Sequence, residues 1–326
     1  MIWSLSRLVP YQSSRMRAQP SHQSSPIVGH VRKAVALALM SARVAWLTQR
    51  IYRDPLRFAA AIRRLRAEVA RVRRGKSRKL AFSSGRYFLD LYAPGWPSQA
   101  FDRYVERELA RLDPLLGRPP ALQTVVFAIT RRCGLRCEHC CEWNVLNRPE
   151  ALSTDALCEI ARRLKERGVT QLFVSGGEPL LRFDDLLSVT AALCAQTDVW
   201  VHSSGRGLTG DKASRLRDAG LTGMALSLDH WDAQAHDRFR GVEGSFEAVE
   251  RAAMHVHRAG LLLSLSLCPT RAFVSSDNLR RYALKARSLG ASFILILEPK
   301  PVGPTRVGTL LSTSRSNASW NGSRSI

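Results

Sequence analysis

Apolar positions fall at helical spacing from Val31 to about Arg74. Val35, Leu37, Leu39, Val44, Leu47 and Ile51 make a first run, Pro55 interrupts it, and Phe58, Ile62, Leu65, Val69 and Val72 resume at intervals of three and four. The other face of the second run carries Arg63, Arg64, Arg66, Arg71, Arg73 and Arg74, which predicts a basic amphipathic helix. Residues 80–93 read as a short hairpin turning at Ser84–Gly85 and ended by Pro94, Gly95 and Pro97. Ser98 is placed to cap a helix running to about Leu116, with Phe101, Tyr104, Val105 and Leu112 inward. Gly117, Pro119 and Pro120 read as a linker into the second half.

Beyond the linker the alternation is regular. Strands are predicted at 124–130, 170–175, 198–203, 222–228, 262–267 and 292–298, and helices at 154–168, 184–196, 210–219, 245–259 and 276–289. Ser153, with Asp155 in the first turn, starts the first of these helices, and Gly168, Gly220, Gly260 and Gly290 sit where a helix must stop before a strand. Units of this kind in series imply an α/β fold with a parallel sheet, either an open doubly wound sheet or a barrel or partial barrel. In each case ligands collect at the carboxyl ends of the strands, which is where the motifs below fall.

Composition narrows the class. The chain has 326 residues, room for one large or two ordinary domains. With 45% hydrophobic and 23% charged residues it is not a disordered, collagen-like or disulfide-scaffold chain. The net charge of +22 is lopsided: residues 1–120 hold 23 basic and 7 acidic side chains, residues 121–326 hold 26 and 20. A nearer-neutral half, with the charge balance of an ordinary enzyme, thus follows a basic element. That element reads first as a solvated helix face packed on the main domain, with an anionic membrane surface or an acidic partner through residues 31–79 as the sharper alternative. Nucleic acid ranks low, because Phe58 is the only aromatic between Tyr52 and Phe82 and base stacking needs more. Ala34–Leu47 is too short to span a bilayer and contains Arg43, and Met1–Leu8, followed by Pro10, is too short for a signal peptide. Seven cysteines, four of them within Cys133–Cys141, make a poor disulfide framework and a good ligand cluster. The compartment reads as reducing and cytoplasmic, with peripheral membrane attachment as a variant.

The cluster directly follows the first predicted strand: Cys133-Gly-Leu-Arg-Cys137-Glu-His-Cys140-Cys141. Thiolates favour zinc or iron–sulfur centres. Structural zinc wants four closed ligands, usually as two separated pairs, and no second pair is present; Cys158 and Cys194 fall on helices and Cys268 stands alone after a strand. Three thiolates on a cubane leave one iron open to substrate or cofactor.

This loop, its place after the first strand and the six βα units resemble the radical S-adenosylmethionine enzymes over about Thr124 to Pro299. The resemblance implies a partial (β/α)6 barrel and a 4Fe–4S cluster on Cys133, Cys137 and Cys140, with the open iron chelating S-adenosylmethionine. It leaves Cys141 a neighbouring thiol and puts His139 either beside the adenine or, as an ordinary imidazole, on the surface. Ser175-Gly176-Gly177-Glu178-Pro179 is similar to the family's GGEP motif, which implies that Gly176 and Gly177 let backbone approach the cofactor and that Glu178 holds the methionine amino group. Val201-His202-Ser203-Ser204-Gly205 stands where relatives have Thr-Asn-Gly; the resemblance implies that Ser203 or Ser204 supplies the hydroxyl there, and the Asn is missing from this sequence. Leu226-Ser227-Leu228-Asp229 resembles the family's Ser-Leu-Asp: Ser227 would face ribose or carboxylate, and Asp229 would lie at the mouth or act as a turn cap. His236-Asp237-Arg238-Phe239-Arg240-Gly241 matches a segment read as structural, in the loop before a helix, with Arg240 free to bind a carboxylate bidentately.

The activity so implied is reductive cleavage of S-adenosylmethionine to methionine and a 5′-deoxyadenosyl radical, which takes hydrogen from a peptide or small-molecule substrate. An electron donor such as a flavodoxin or ferredoxin would supply the reductant. No catalytic acid–base residue is identified. The expected organisation is 1–28 disordered or a mis-assigned start, 29–79 basic helices, 80–120 hairpin, helix and linker, 121–303 the core, and 304–326 a disordered or aberrant tail. No cysteine follows Cys268, so the auxiliary-cluster domain of many relatives is not expected and the sequence looks cut short or frame-shifted after the core. Two alternatives follow: a truncated, non-catalytic cluster-binding partner protein, or a nucleic-acid-modifying radical enzyme.

Overall fold

The computed structural model describes residues 29–73, 79–113, 116, 122–150, 152–193 and 196–299. The expectations for 1–28, for the linker at Gly117, Pro119 and Pro120, for Cys194 and for the 304–326 tail lie outside those residues. Helix α1 (His30–Ile51) is separated from α2 (Pro55–Arg73) by a turn in which Asp54 Oδ1 accepts the Arg57 amide at 2.8 Å. An N-cap carboxylate followed by proline at the first helical position explains why the pattern resumes there. The α1 stripe that faces inward runs Ala36, Met40, Val44, Leu47 and Ile51, so Val35 and Leu39 lie outward at 54% and 50% exposure. They are one residue, or about 100°, off the stripe that steps by four, four, three and four.

Helix α3 (Gln99–Leu112) packs Phe101, Val105 and Leu109 against Met40, Leu47, Tyr52 and Ala61. Its Ser98 hydroxyl caps the Phe101 amide at 3.0 Å. It stops short of Leu116 because Asp113 (φ −131°, ψ 86°) precedes a proline and is pushed out of helical backbone.

The hairpin β1 (Ala81–Ser83) and β2 (Arg86–Phe88) turns through Ser84 and Gly85, both at positive φ (48° and 76°), as a tight primed turn requires.

A six-stranded sheet follows, all parallel and in strict chain order: β3 (Thr124–Ala128), β4 (Gln171–Ser175), β5 (Asp198–Ser203), β6 (Gly223–Ser227), β7 (Leu262–Leu267) and β8 (Phe293–Ile296). Strand order in a doubly wound sheet reverses at a switch point. This order never reverses, which selects the partial barrel. Helices α4 (Thr154–Glu166), α5 (Phe183–Leu193), α6 (Gly210–Asp218), α8 (Ser245–Arg258) and α9 (Ser276–Ser288) join the strands. Leu172 and Val174, Val199 and Val201, Met224 and Leu226, and Leu263 and Leu265 point to these helices and meet Leu157, Leu186, Leu216, Val249 and Val256. The alternate positions Phe173, Trp200, Leu262 and Phe293 point inward.

The hairpin region closes the barrel floor. Ala81, Phe88 and Leu91 pack on those inward rings. Arg86 pairs with buried Asp198, whose other oxygen accepts the Gly95 amide at 2.7 Å. Gln171 Nε2 donates to Leu91 O at 3.0 Å and Ser83 Oγ to Gly260 O at 2.7 Å. All these contacts lie at the amino ends of the strands, so the carboxyl ends are left for chemistry.

One element departs from expectation. Ala233–Arg240 is a helix, α7, not a loop. Asp232 caps it through the Ala235 amide at 2.9 Å, and Gly241 (φ 69°) ends it in left-handed backbone. Eight mainly polar residues carry too little apolar periodicity to be read as a helix. Among the described residues no helix is long and apolar enough to cross a membrane.

Candidate iron–sulfur and cofactor site

The cysteine loop leaves the end of β3 and is held from two sides. On one side Asn147, itself at φ 58°, clasps Cys133: its Oδ1 accepts the Cys133 amide at 2.9 Å and its Nδ2 donates to the Cys133 carbonyl at 3.0 Å. On the other side the end of α7 docks along the loop. The Arg136 and Glu138 amides donate to the Arg240 and Phe239 carbonyls at 3.1 and 3.0 Å. Any Cβ on Gly241 would sit 2.6 Å from the Arg136 carbonyl oxygen, so this approach needs glycine.

Cys137 is buried, Cys133 and Cys140 are half-buried, and Cys141 is exposed. Burial raises the thiols of Cys133 and Cys137, and that of Cys140 to about 11, with each neighbouring thiol adding to the effect at Cys140. Such thiols become thiolates only beside a positive centre. Among the described residues no group of three or more His, Cys, Asp or Glu side chains is arranged to hold a single metal ion. A cubane takes each thiolate on a different iron, so its ligands need not meet at one point. The donor set, three soft ligands on one clamped loop, therefore fits an iron–sulfur cluster.

Gly176 and Gly177 serve a backbone approach, though to the chain itself. The Gly177 and Glu178 amides donate to the Thr130 and Arg132 carbonyls at 2.8 and 2.7 Å. A Cβ on either glycine would lie 2.4 Å from Thr130 O or 2.3 Å from Arg132 O. This turn is thus sewn to the stem of the cysteine loop. Glu178 is buried, and its carboxylate accepts from the Leu180 amide (3.2 Å), Ser203 Oγ (2.8 Å), the Ser204 amide (2.8 Å) and Ser204 Oγ (2.5 Å). Both serines of β5 converge on this one carboxylate, and all four of its lone-pair sites are taken.

Asp229 does not stand at an open mouth; it is 5% exposed. Its Oδ1 accepts the Cys268 amide at 2.9 Å, its own amide donates to His236 Nδ1 at 3.1 Å, and Arg240 Nη2 lies 2.5 Å from its Oδ2. That last contact has ion-pair distance but not hydrogen-bond alignment: Asp229 Oδ2 and Arg240 Nε both remain without a hydrogen-bond partner. Arg240 therefore does not bind bidentately. Burial opposes the Asp229 charge most strongly, yet the Arg240 guanidinium, His139, the Cys268 amide and His236 together outweigh it and hold the carboxyl below its usual range. Arg240 also points Nη1 at Cys137 Sγ, 3.6 Å away. His139 stacks flat on Phe239, ring centroids 4.7 Å apart at 8°, with Nδ1 buried and unpartnered. Burial lowers the pKa of its imidazole. Ser227, half-buried, lies with Oγ 3.4 Å from Ser266 Oγ at the inner lip of β6 and β7.

Sequence reasoning had Arg240 only as a structural residue and passed over Phe239. The signal was present, since both sit on a capped eight-residue segment ended by glycine, but their partners lie about a hundred positions upstream.

A parallel six-stranded partial barrel with a three-cysteine loop at the end of its first strand defines a class of cofactor-binding domain. Residues 127–268 match the family model described as the Radical SAM superfamily. The chain is 30% identical over 153 residues to an AdoMet-dependent heme synthase of Oleidesulfovibrio alaskensis, covering 47% of this chain and 39% of that protein. It is 32% identical over 178 residues to a PqqA peptide cyclase of Methylocella silvestris, covering 54% and 47%. The chain thus spans less than half the length of these relatives. The fold is similar to that of Streptococcus suis SuiB in its crystal structure with precursor peptide SuiA, with TM-score 0.52, 16% identity, and coverage of 65% of this chain and 47% of that one.

Proposed function

We propose that this protein is a radical S-adenosylmethionine enzyme acting on a peptide or small-molecule substrate. The observation that carries the reading is the double clamp on Cys133–Cys140, which presents three thiols at the carboxyl end of the barrel beside buried polar atoms that lack partners. Cys133, Cys137 and Cys140 would hold a 4Fe–4S cluster. When bound, that cluster and S-adenosylmethionine supply one-electron cleavage of a carbon–sulfur bond and a radical able to take hydrogen from an unreactive C–H bond.

The chain's own part is to bind and orient. Glu178 offers a buried anion for the cofactor's ammonium, which would take the place of the Ser204 hydroxyl. His139, fixed by Phe239, offers Nδ1 and a ring edge to the adenine. Ser227 offers its hydroxyl to the ribose or carboxylate. The floor of hairpin and aromatic rings excludes water from below. Relatives named for heme synthesis and peptide cyclisation support either substrate class.

Anaerobic reconstitution with iron and sulfide, reduction, and addition of S-adenosylmethionine should yield 5′-deoxyadenosine, and Cys137→Ala should abolish it. A wild-type protein that binds no iron–sulfur centre would sink the reading.

The amino-terminal helices support a second element of function. Val31, Val35, Leu39 and Trp46 are exposed on α1, and Arg63, Arg64 and Arg66 are exposed on α2. This pairing of apolar and cationic surface suits an anionic membrane or an acidic electron donor of the flavodoxin or ferredoxin kind in the cytoplasm. Co-sedimentation with vesicles of anionic, but not zwitterionic, lipid should be lost when Val35, Leu39 and Trp46 are changed to Ser; sedimentation unaffected by these changes would rule the membrane out.

A further inference from the structure

Arg240 is a buried cation whose partners do not satisfy it. Its side chain is 9% exposed, one Nη lies 3.6 Å from Cys137 Sγ, the other lies 2.5 Å from Asp229 Oδ2, and Nε has no acceptor. A buried pair kept for stability alone would be fully hydrogen-bonded, because each unsatisfied atom is costly. Asp229 Oδ2 meets the other end of the same guanidinium at 2.5 Å. The geometry makes sense if the guanidinium is aimed at the sulfur. The backbone bonds from Arg136 and Glu138 to the end of α7, together with the close contact at Gly241, tie Arg240 to the cysteine loop, so cation and sulfur keep one spacing.

We propose that Arg240 is a positioning residue that raises the reduction potential of the iron–sulfur centre through Cys137, and that Asp229 limits that effect as its counter-charge. This rests on the functional reading above. An N–H donor and a fixed positive charge at a ligating sulfur favour the state with one more electron, and hydrogen bonds to sulfur and local charge are the protein's main levers on such potentials. Arginine suits the task because it stays charged at any working pH. Low dielectric around two buried groups makes the interaction stronger than it would be at the surface.

The two side chains should act with opposite sign. The reconstituted full-length protein, without S-adenosylmethionine, would be titrated potentiometrically and followed by the electron paramagnetic resonance signal of the reduced centre. Arg240→Gln should lower the reduced fraction at a fixed potential at least tenfold, which is 59 mV for a one-electron couple. Arg240→Lys, which keeps the charge but loses the planar fork, should shift it less. Asp229→Asn should raise the midpoint. An Arg240→Gln midpoint equal to wild type, or shifts of the same sign in Arg240→Gln and Asp229→Asn, overturns the proposal. If Arg240→Gln folds without loading iron, Arg240→Lys and Asp229→Asn decide, and midpoints unchanged in both overturn it. A wild-type chain that loads no centre overturns the functional reading, and this inference with it. A loaded wild type with insensitive variants overturns this inference alone.

Discussion

Ser204 gives both its amide and its hydroxyl to one oxygen of Glu178, at 2.8 and 2.5 Å. Hydrogen bonds to a charged group contribute about 1.5–3 kcal/mol each, so this residue holds the carboxylate in place more than any single ligand contact could. It also occupies a lone pair that an incoming ammonium would need.

The competition predicts unlike effects from two substitutions. Glu178→Gln should weaken S-adenosylmethionine binding at least tenfold, about 1.4 kcal/mol. Ser204→Ala should leave affinity at or above wild type while costing the fold about 1–3 kcal/mol. Titration calorimetry and urea denaturation read the two effects. Equal loss of affinity in both variants would mean that Ser204 itself touches the cofactor.

Gly241→Ala should damage the site from outside it. The new Cβ meets the Arg136 carbonyl at 2.6 Å and must adopt φ near 69°. We expect destabilisation of about 1–3 kcal/mol and a lower iron content after reconstitution. Wild-type iron content in this variant would show that the α7 clamp is dispensable.

Stability should fall on acidification from near neutrality. Burial lowers His202 to about 4, and burial, aided by Arg240, lowers His236 to about 4. In the unfolded chain both titrate near 6.5, so between pH 6.5 and 4 the unfolded state binds more protons and stability is lost as pH falls. Each histidine contributes up to about 3 kcal/mol across that window. His202→Phe should flatten the slope of unfolding free energy against pH between 7.5 and 5, and an unchanged slope would refute the assignment.

The barrel floor rests on Arg86 and Asp198. Arg86→Ala leaves a buried carboxylate with the Gly95 amide as its remaining donor in the hairpin region and should cost about 3–5 kcal/mol in urea denaturation. Arg86→Ala,Asp198→Asn together should recover part of that loss, since the uncompensated charge is gone. No recovery would place the cost in packing instead.

Much of the fold is legible in the sequence because it is local. The predicted strands at 198–203 and 262–267 match β5 and β7 in full, and the other four differ only at their ends. Short apolar runs, four of them preceded by Gly168, Gly220, Gly260 and Gly290, contain that information. The same local code misses α7, where a cap and a glycine bracket too few apolar residues, and it mistakes Val35 and Leu39 for partners of Leu47. The three cysteines and Glu178 are likewise legible, since their spacing and place after strands are local facts.

What the sequence alone determined is therefore the kind of each element and the residue types that reach the carboxyl ends of the strands. Only the tertiary structure decided that the sheet keeps chain order, that Ser203 and Ser204 saturate Glu178, and that Arg240 meets Cys137 across 103 positions. The reason is physical. Backbone periodicity is set by neighbours within a turn or a strand. The partner of a buried charge is set by closure of the whole barrel, which brings distant polar groups together where water cannot serve them.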